Sequence, residues 1–169
     1  MFRSIPAETI TDNPFKLFGV DWTLITAGPP EAFNMMTAAW AGLGVLWSKN
    51  VAFCFIRPQR YTYQFMEKAG NFTLSFFEEK YRGALDLCGN KSGRDINKAA
   101  EAGLTPVPGT LEGTTCFAEA RLVMVCRKIY FQDLNPQNFV DPSIAQNYMQ
   151  HDYHRMYIGE VADCLMPAR

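Results

Sequence analysis

The stretch TCFAEARLVMVCRKIY, residues 115–130, decides the fold prediction because it runs for sixteen residues without glycine or proline. Its odd positions include Glu119, Arg121 and Arg127, whereas its even positions are nearly all apolar. This period of two predicts a single β-strand. At about 3.3 Å per residue the strand would reach roughly 50 Å, more than a flat small sheet spans. We therefore expect it to bend or coil, as strands do in a small closed barrel.

Shorter apolar runs bounded by turn residues predict further strands on both sides of this segment. They cover residues 20–26, 35–40, 44–47, 51–56, 72–77 and 156–164, with a turn at 48–50. Helices are predicted at residues 62–69, 78–88 and 95–102, and a loop with a short helix at 136–148. Thr62 is expected to cap the first helix, and Gly70 to supply a left-handed residue after its end. Because helices and strands do not alternate regularly, the pattern favours a mainly β, antiparallel barrel with short peripheral helices over a doubly wound sheet.

Length and composition indicate an ordinary globular chain. Its 169 residues are 48% hydrophobic and 20% charged with a formal net charge of −1, which predicts one domain over residues 1–169 and no electrostatic attraction to nucleic acid or an anionic membrane. The N-terminus has no apolar signal-peptide core. The five cysteines form no CxxC pair, which is typical of reduced, buried thiols. We therefore expect a cytoplasmic protein.

Several common catalytic motifs are absent from the sequence. The run Ala41–Gly44 begins like a dinucleotide-binding fingerprint, but Trp47 stands where its third glycine belongs. There is no GxxxxGK[ST], HExxH or GxSxG motif. His151 and His154 have a spacing that suits metal ligands on a helix, yet they equally fit a polar loop, and no second ligand cluster accompanies them. The sequence therefore predicts no metal site.

The run Asn34–Trp40 has the pattern of a surface for a flat ligand. On a strand, Asn34, Met36, Ala38 and Trp40 share one face. The small Ala38 and Ala39 would let a planar molecule approach the backbone, whose N–H and C=O groups can bind the edge of a heteroaromatic ring. The alternative interpretation is a barrel strand that begins with an amide side chain.

Two further segments have the composition of a phosphate site. Residues 57–63 place arginines and a threonine at a predicted helix N-terminus, and residues 91–94 add a lysine, a serine and an arginine. Backbone N–H groups, the helix dipole and charge-assisted hydrogen bonds all favour an anion at such a place. The alternative is a pair of solvated helix caps.

Together these segments resemble the flavin reductase-like, FMN-binding split-barrel family, and most of all its flavoredoxin-type branch. The resemblance covers roughly residues 15–161. It implies an antiparallel, Greek-key-like split β-barrel that forms homodimers, with each FMN near the subunit interface. A small barrel filled by its own side chains leaves no interior room for FMN, so a groove between two chains would hold it.

The resemblance also implies roles for particular residues. Along the flavin ring it places Asn34, Met35, Met36, Thr37 and Trp40. A polar residue after the next strand corresponds to Ser48. Arg60 and Thr62 match the helix start that holds the phosphate or ribityl chain in the family. Lys91, with Ser92 beside it, matches the family's lysine in a glycine-containing turn. Residues that would cover the flavin from across the dimer are Tyr153, His154 and Tyr157.

The implied function is an oxidoreductase that passes hydride or electrons from NAD(P)H through FMN to an acceptor. The cofactor carries this chemistry, so no catalytic side chain is assigned. One alternative is an FMN electron carrier that is reduced by a redox protein partner. Another is a barrel that binds a different apolar ligand or forms a structural dimer. The sequence leaves all three open.

Overall fold

The two longest strands lie side by side and form the centre of the fold. The computed structural model describes residues 1–168. In it, Leu122–Asp133 pairs antiparallel with Arg155–Pro167. The register between them shifts next to Gly159 and again between Val161 and Asp163. Such bulges bend a strand and increase its twist, so the sheet can curve here.

The described chain contains ten strands, four α-helices and four short 3-10 turns. The strands are β1 (Phe2–Ile5), β2 (Thr23–Ala27), β3 (Asn34–Ala38), β4 (Ala41–Leu46), β5 (Lys49–Ile56), β6 (Asn71–Phe76), β7 (Pro106–Pro108), β8 (Thr115–Phe117), β9 (Leu122–Asp133) and β10 (Arg155–Pro167). The helices are α1 (Pro14–Gly19), α2 (Tyr61–Lys68), α3 (Arg82–Asn90) and α4 (Lys98–Glu101). The 3-10 turns are Ala7–Thr9, Glu79–Tyr81, Pro136–Asn138 and Pro142–Tyr148.

The main sheet is antiparallel and does not close. Its order is β3-β2-β6-β9-β10-β5-β4, with β1 added on β10, while β7 and β8 form a separate two-stranded sheet. Within residues 1–168, β3 and β4 end the path and do not pair with each other. The predicted mainly β, antiparallel fold is confirmed, in the form of a split barrel.

Apolar side chains are buried on both faces of this sheet. One cluster contains Phe72 and Met124 and packs against α1 and α2. The other contains Leu24 and Val123 and packs against α3 and α4. Because both faces are covered, residues 122–126 are all buried, and the alternation that predicted a half-exposed strand does not hold there.

The prediction of a single strand over residues 115–130 is wrong. The chain turns between β8 and β9, where the Ala120 N–H donates to the Phe117 carbonyl (3.0 Å) and the Arg121 N–H donates to the Phe76 carbonyl (2.9 Å). β8 pairs with β7, whereas β9 pairs with β6 and β10. Because β8 and β9 pair with different strands, the chain must turn between them, although no glycine or proline marks that turn in the sequence.

The predicted caps of α2 are also wrong. Thr62 lies inside this helix and is buried, and Arg60 occupies the N-cap position without a side-chain capping bond. The helix ends in an extended Ala69, and the left-handed glycines of the described chain are Gly28, Gly103 and Gly113 rather than Gly70. The helix predicted at residues 78–88 begins later, at Arg82, because a 3-10 turn precedes α3. The helix predicted at residues 95–102 is shorter, since α4 has only four residues.

The turn between β4 and β5 lies one residue earlier than predicted. Trp47 and Ser48 both have positive φ angles (52° and 58°), as the two central residues of a tight I′ hairpin turn require. All five cysteines are buried free thiols, as expected. Among residues 1–168, no helix combines the length and the apolar character that crossing a membrane requires.

Candidate functional site

A shallow groove opens where β3 ends and the chain leaves β5. It has a volume of about 220 Å³. Trp40 is 49% exposed at one side of it, while the small Ala38 and Ala39 form part of its wall. We call it the aromatic groove, and its lining residues are Met36, Thr37, Ala38, Ala39, Trp40, Phe55, Arg57, Arg60 and His154.

A second pocket of about 200 Å³ lies at the N-terminus of α2. Among residues 1–168, four cationic side chains line it and no carboxylate does, so its donor set suits an anion. Arg60 lines both spaces, which therefore adjoin. We call this the cationic pocket, and its lining residues are Asn34, Gln59, Arg60, Tyr61, Thr62, Gly89, Asn90, Lys91, Ser92, Gly93, Arg94 and Lys98.

One buried hydrogen bond joins the elements around the cationic pocket. The Asn34 side-chain amide at the start of β3 donates to the Thr62 hydroxyl in α2 at 2.8 Å. A Cβ on Gly93 would clash with Asn34 Oδ1, so a larger residue in this loop would have to displace the amide. The three segments that the sequence predicted to cooperate, at Asn34, Thr62 and Lys91, therefore meet here.

Arg60 and Arg94 are held in place by their surroundings. Arg60 Nη2 donates to the Gly89 carbonyl at 2.9 Å, and the Arg94 guanidinium lies 4.6 Å from the centre of the Tyr61 ring. Burial lowers the pKa of Arg60, and the nearby Arg57 adds to this effect. A guanidinium remains charged despite such a shift, so Arg60 offers a fixed positive charge between the two spaces.

His154 closes one side of the aromatic groove. Its ring lies 5.2 Å from the Trp40 ring, and its Nδ1 is 2.9 Å from the Tyr148 hydroxyl. Burial lowers the pKa of His154 to about 4, and repulsion by Arg57 contributes. Asp152 opposes this shift, but its carboxylate pairs with Arg57 at 2.5 Å. His154 is therefore a neutral imidazole at physiological pH.

The buried neutral state of His154 predicts a specific loss of stability in acid. The folded pKa of about 4 lies below the ordinary value of 6.5, so the unfolded chain takes up the proton first and stability falls as pH drops below 6.5. Between pH 6.5 and pH 5 this amounts to about 2 kcal/mol. Urea unfolding of His154→Asn should lack this loss relative to wild type, whereas the exposed His151→Asn should keep it. Equal acid sensitivity of both variants would contradict the assignment.

Some predicted site residues lie outside both spaces. Tyr157 is 0% exposed in the core, where its hydroxyl donates to Glu67 Oε1 at 2.6 Å, so its expected place over a ligand is wrong. Ser48 lies in the turn at the far end of the β4–β5 hairpin, about 20 Å along the strand from the groove. Met35 is buried and points to the core beside α3. Tyr153 packs on Tyr148, with ring centres 5.0 Å apart.

Other residues line the site without having been assigned a role. Arg57 and Arg94 lie in the two segments that have the composition of a phosphate site, but the polar pattern gives no reason to prefer them over their neighbours. The sequence pattern predicts Phe55 as an ordinary strand residue and Lys98 as a surface lysine on a helix. Their positions depend on long-range packing, for which a single sequence carries no local signal. No group of three or more metal-binding side chains comes together within residues 1–168.

Comparisons with solved structures show the fold. A flavoredoxin of Desulfovibrio vulgaris (Miyazaki F) is 23% identical, with a TM-score of 0.68 over 98% of this chain and 76% of its own. An FMN-binding domain of a flavin reductases-like enzyme from Shewanella baltica OS155 is 16% identical, with a TM-score of 0.68 over 98% and 77%. A Streptomyces globisporus NADH:FAD oxidoreductase in complex with NAD and FAD fragments is 17% identical, with a TM-score of 0.64 over 87% and 74%.

At the level of sequence, the chain matches a family model but no individual curated protein. No curated protein matches the chain. The family model described as the flavin reductase like domain matches residues 15–169, which is most of the sequence. This chain therefore belongs to the flavin reductase-like domain family.

Proposed function

We propose that this protein binds FMN and acts as an oxidoreductase of the flavin reductase type, with NAD(P)H as electron donor. The observation that carries the proposal is the junction of the aromatic groove and the cationic pocket at Arg60. Each space alone is smaller than a typical small-molecule site of about 300–1,000 Å³. A single ligand with a flat ring and an anionic tail, such as FMN, matches the two in combination.

The wall of the aromatic groove offers suitable contacts for the ring. Within residues 1–168, β3 lies at the edge of the sheet and pairs only with β2. Lys98 binds the Met35 carbonyl on the unpaired side, and the other backbone groups on that side remain available to a ligand. The peptide groups of residues 36–39 can therefore bind the polar edge of the ring system. Trp40 and the neutral His154 provide aromatic surface without adding charge beside it.

The cationic pocket offers suitable contacts for the phosphate. Arg60 and Arg94 supply guanidinium donors and Lys91 an ammonium, and the hydroxyl of Ser92 lies in the same loop. Thr62 accepts from Asn34, which leaves its own O–H free to donate. The donors come from α2 and the loop after α3, so they converge from two sides on one tail.

The cofactor would carry out the redox chemistry. Bound FMN would supply two-electron transfer, and the chain's own residues would hold and orient it. The half-exposed Trp40 leaves one side of the groove open, where a nicotinamide ring or an acceptor can approach. Similar proteins described as FMN-binding and as an NADH:FAD oxidoreductase support this assignment.

We also propose that the protein forms a homodimer, with Tyr153 and the loop before β10 near the partner's cofactor. Large apolar side chains are exposed in the β4–β5 turn and on β9, and the Trp47 and Tyr130 rings contact each other with centres 6.0 Å apart. Exposed clusters of this kind mark protein interfaces. Light scattering should give twice the mass of 19.1 kDa, and a monomeric mass would contradict the dimer.

Binding and turnover can be tested with the same protein preparation. Titration with FMN, followed by flavin absorbance and fluorescence, should show one FMN per chain. Anaerobic addition of NADH or NADPH should then bleach the bound flavin. FMN binding without reduction by either nucleotide would instead support the electron carrier reduced by a protein partner. A protein that ignores FMN would refute the proposal and leave a barrel with another ligand or a structural role.

A further inference from the structure

Lys98 is a lysine buried beside the cationic pocket. It is 5% exposed, on the short helix α4, and its Nζ donates to the Met35 carbonyl in β3 at 2.6 Å. An ammonium carries three N–H donors, and this is the one hydrogen bond that Nζ makes within residues 1–168. Two donors are therefore left, at a side chain that lines the cationic pocket.

The groups facing Lys98 provide no negative charge. Arg60, before α2, and Lys91 and Arg94, after α3, are cations that line the same pocket. Cys88 approaches from α3, but burial raises the pKa of its thiol to about 11, so it is uncharged at neutral pH. In the described chain, no carboxylate lies within ion-pair distance of Lys98 Nζ.

A buried ammonium without a counter-ion is costly, because burial removes the water that would solvate it. The effect is visible in its acidity: burial lowers the pKa of Lys98 to about 8, with Cys88 opposing the shift and Arg60 adding to it. Four cations line this pocket and no carboxylate of the described chain does, so an external anion can bind there as their counter-ion.

We propose that Lys98 is a phosphate-binding residue that takes the terminal phosphate dianion of FMN as its counter-ion. This makes the site selective for a phosphate monoester. The inference rests on the proposed flavin binding and deepens it. Riboflavin offers no charge, and each phosphate of the FAD diphosphate carries a single charge. Because Lys98 also holds the Met35 carbonyl, the residue connects the phosphate end of the site with strand β3, which lies under the ring.

The test compares ligands and two buried lysines. Dissociation constants for FMN, FAD and riboflavin are measured by flavin fluorescence with wild type, Lys98→Met and Lys128→Met. Lys128 is a matched control, since its partly buried Nζ also donates to backbone carbonyls, those of Met66 (2.6 Å) and Glu67 (3.1 Å), but away from the pocket. Loss of Lys98 should reduce the preference for FMN over riboflavin roughly 10- to 100-fold, as expected for a hydrogen bond to a charged group. Lys128→Met should leave that preference unchanged.

If Lys98→Met fails to fold, the pH dependence of FMN binding to the wild-type protein tests the role of Lys98 instead. The second pKa of a phosphate monoester is about 6, so FMN is a dianion above neutral pH. As pH rises above the Lys98 pKa of about 8, binding of the dianion must first return a proton to Lys98. The preference for FMN over riboflavin should therefore fall from pH 8 to pH 9.5, by up to tenfold per pH unit.

The outcomes separate this inference from the proposed function. If wild type binds neither FMN nor riboflavin, the proposed function fails. If wild type binds FMN, but the preference over riboflavin is the same in Lys98→Met or does not change with pH, only the role of Lys98 is refuted. FAD binding as tight as FMN binding would likewise overturn the selectivity for a monoester.

Discussion

Replacing Arg60 with alanine should weaken FMN binding roughly 100-fold or more. Arg60 is the side chain that lines both the aromatic groove and the cationic pocket, and it is already ordered by its bond to the Gly89 carbonyl. An ordered, partly buried charge that meets a phosphate contributes more than an exposed one, and truncation of such a partner typically costs about 2–5 kcal/mol in binding. Isothermal titration with FMN measures the effect.

A matched arginine provides the control for this experiment. Arg127 is exposed and pairs with Glu160 at 3.2 Å on the sheet surface, so Arg127→Ala should bind FMN like wild type. Arg60→Lys keeps the charge but loses the planar fork, and an intermediate affinity is expected. An Arg60→Ala protein that melts like wild type and binds FMN within threefold of it would show that Arg60 does not hold the ligand.

Replacing Gly159 with valine should destabilise the fold more than any other change considered above. A Cβ at this position would lie 2.6 Å from Phe72 Cζ and 2.8 Å from the Cys126 Cβ, both in the core. The register between β9 and β10 shifts at this glycine, which lets the strands cross closely over the Phe72 ring. Overpacking of a dense core typically costs about 1–3 kcal/mol and occasionally more, and valine would add three carbon atoms here, so we expect at least about 3 kcal/mol.

Urea unfolding of Gly159→Val and Gly83→Ala together tests this explanation. Gly83 lies in α3, and a Cβ there meets nothing within 4 Å. Gly83→Ala should therefore raise stability by about 0.5–1 kcal/mol, because alanine favours the helix and restricts the unfolded chain. Wild-type stability in Gly159→Val would mean that the strands do not approach each other as described.

Much of the fold could be predicted from local sequence patterns. β6 lies within one residue of its predicted position at each end, because its apolar run is bounded by polar residues. The break between β8 and β9 could not be predicted, since residues 118–121 contain neither glycine nor proline. Pairing with distant strands decides where the chain turns, and no short window of sequence contains that information.

The site was predictable in its segments but not in its detailed contacts. The chemistry of the run at Asn34 and of the segments at Thr62 and Lys91 predicts a shared site, and the structure brings these segments together. The predicted capping role of Thr62 is wrong, because a threonine near the start of a helix has the sequence pattern of a cap but lies inside α2 here. Lys98 gives no local signal, since the side chain reaches the Met35 carbonyl in β3, which is more than sixty residues away along the chain.

A crystal structure of the protein with FMN tests the central claim most directly. We expect the phosphate within hydrogen-bond distance of Arg60 and Lys98, and the ring along residues 36–40 beside Trp40. A flavin bound elsewhere on the chain, or a groove filled by protein side chains in every copy despite saturating FMN, would contradict the account.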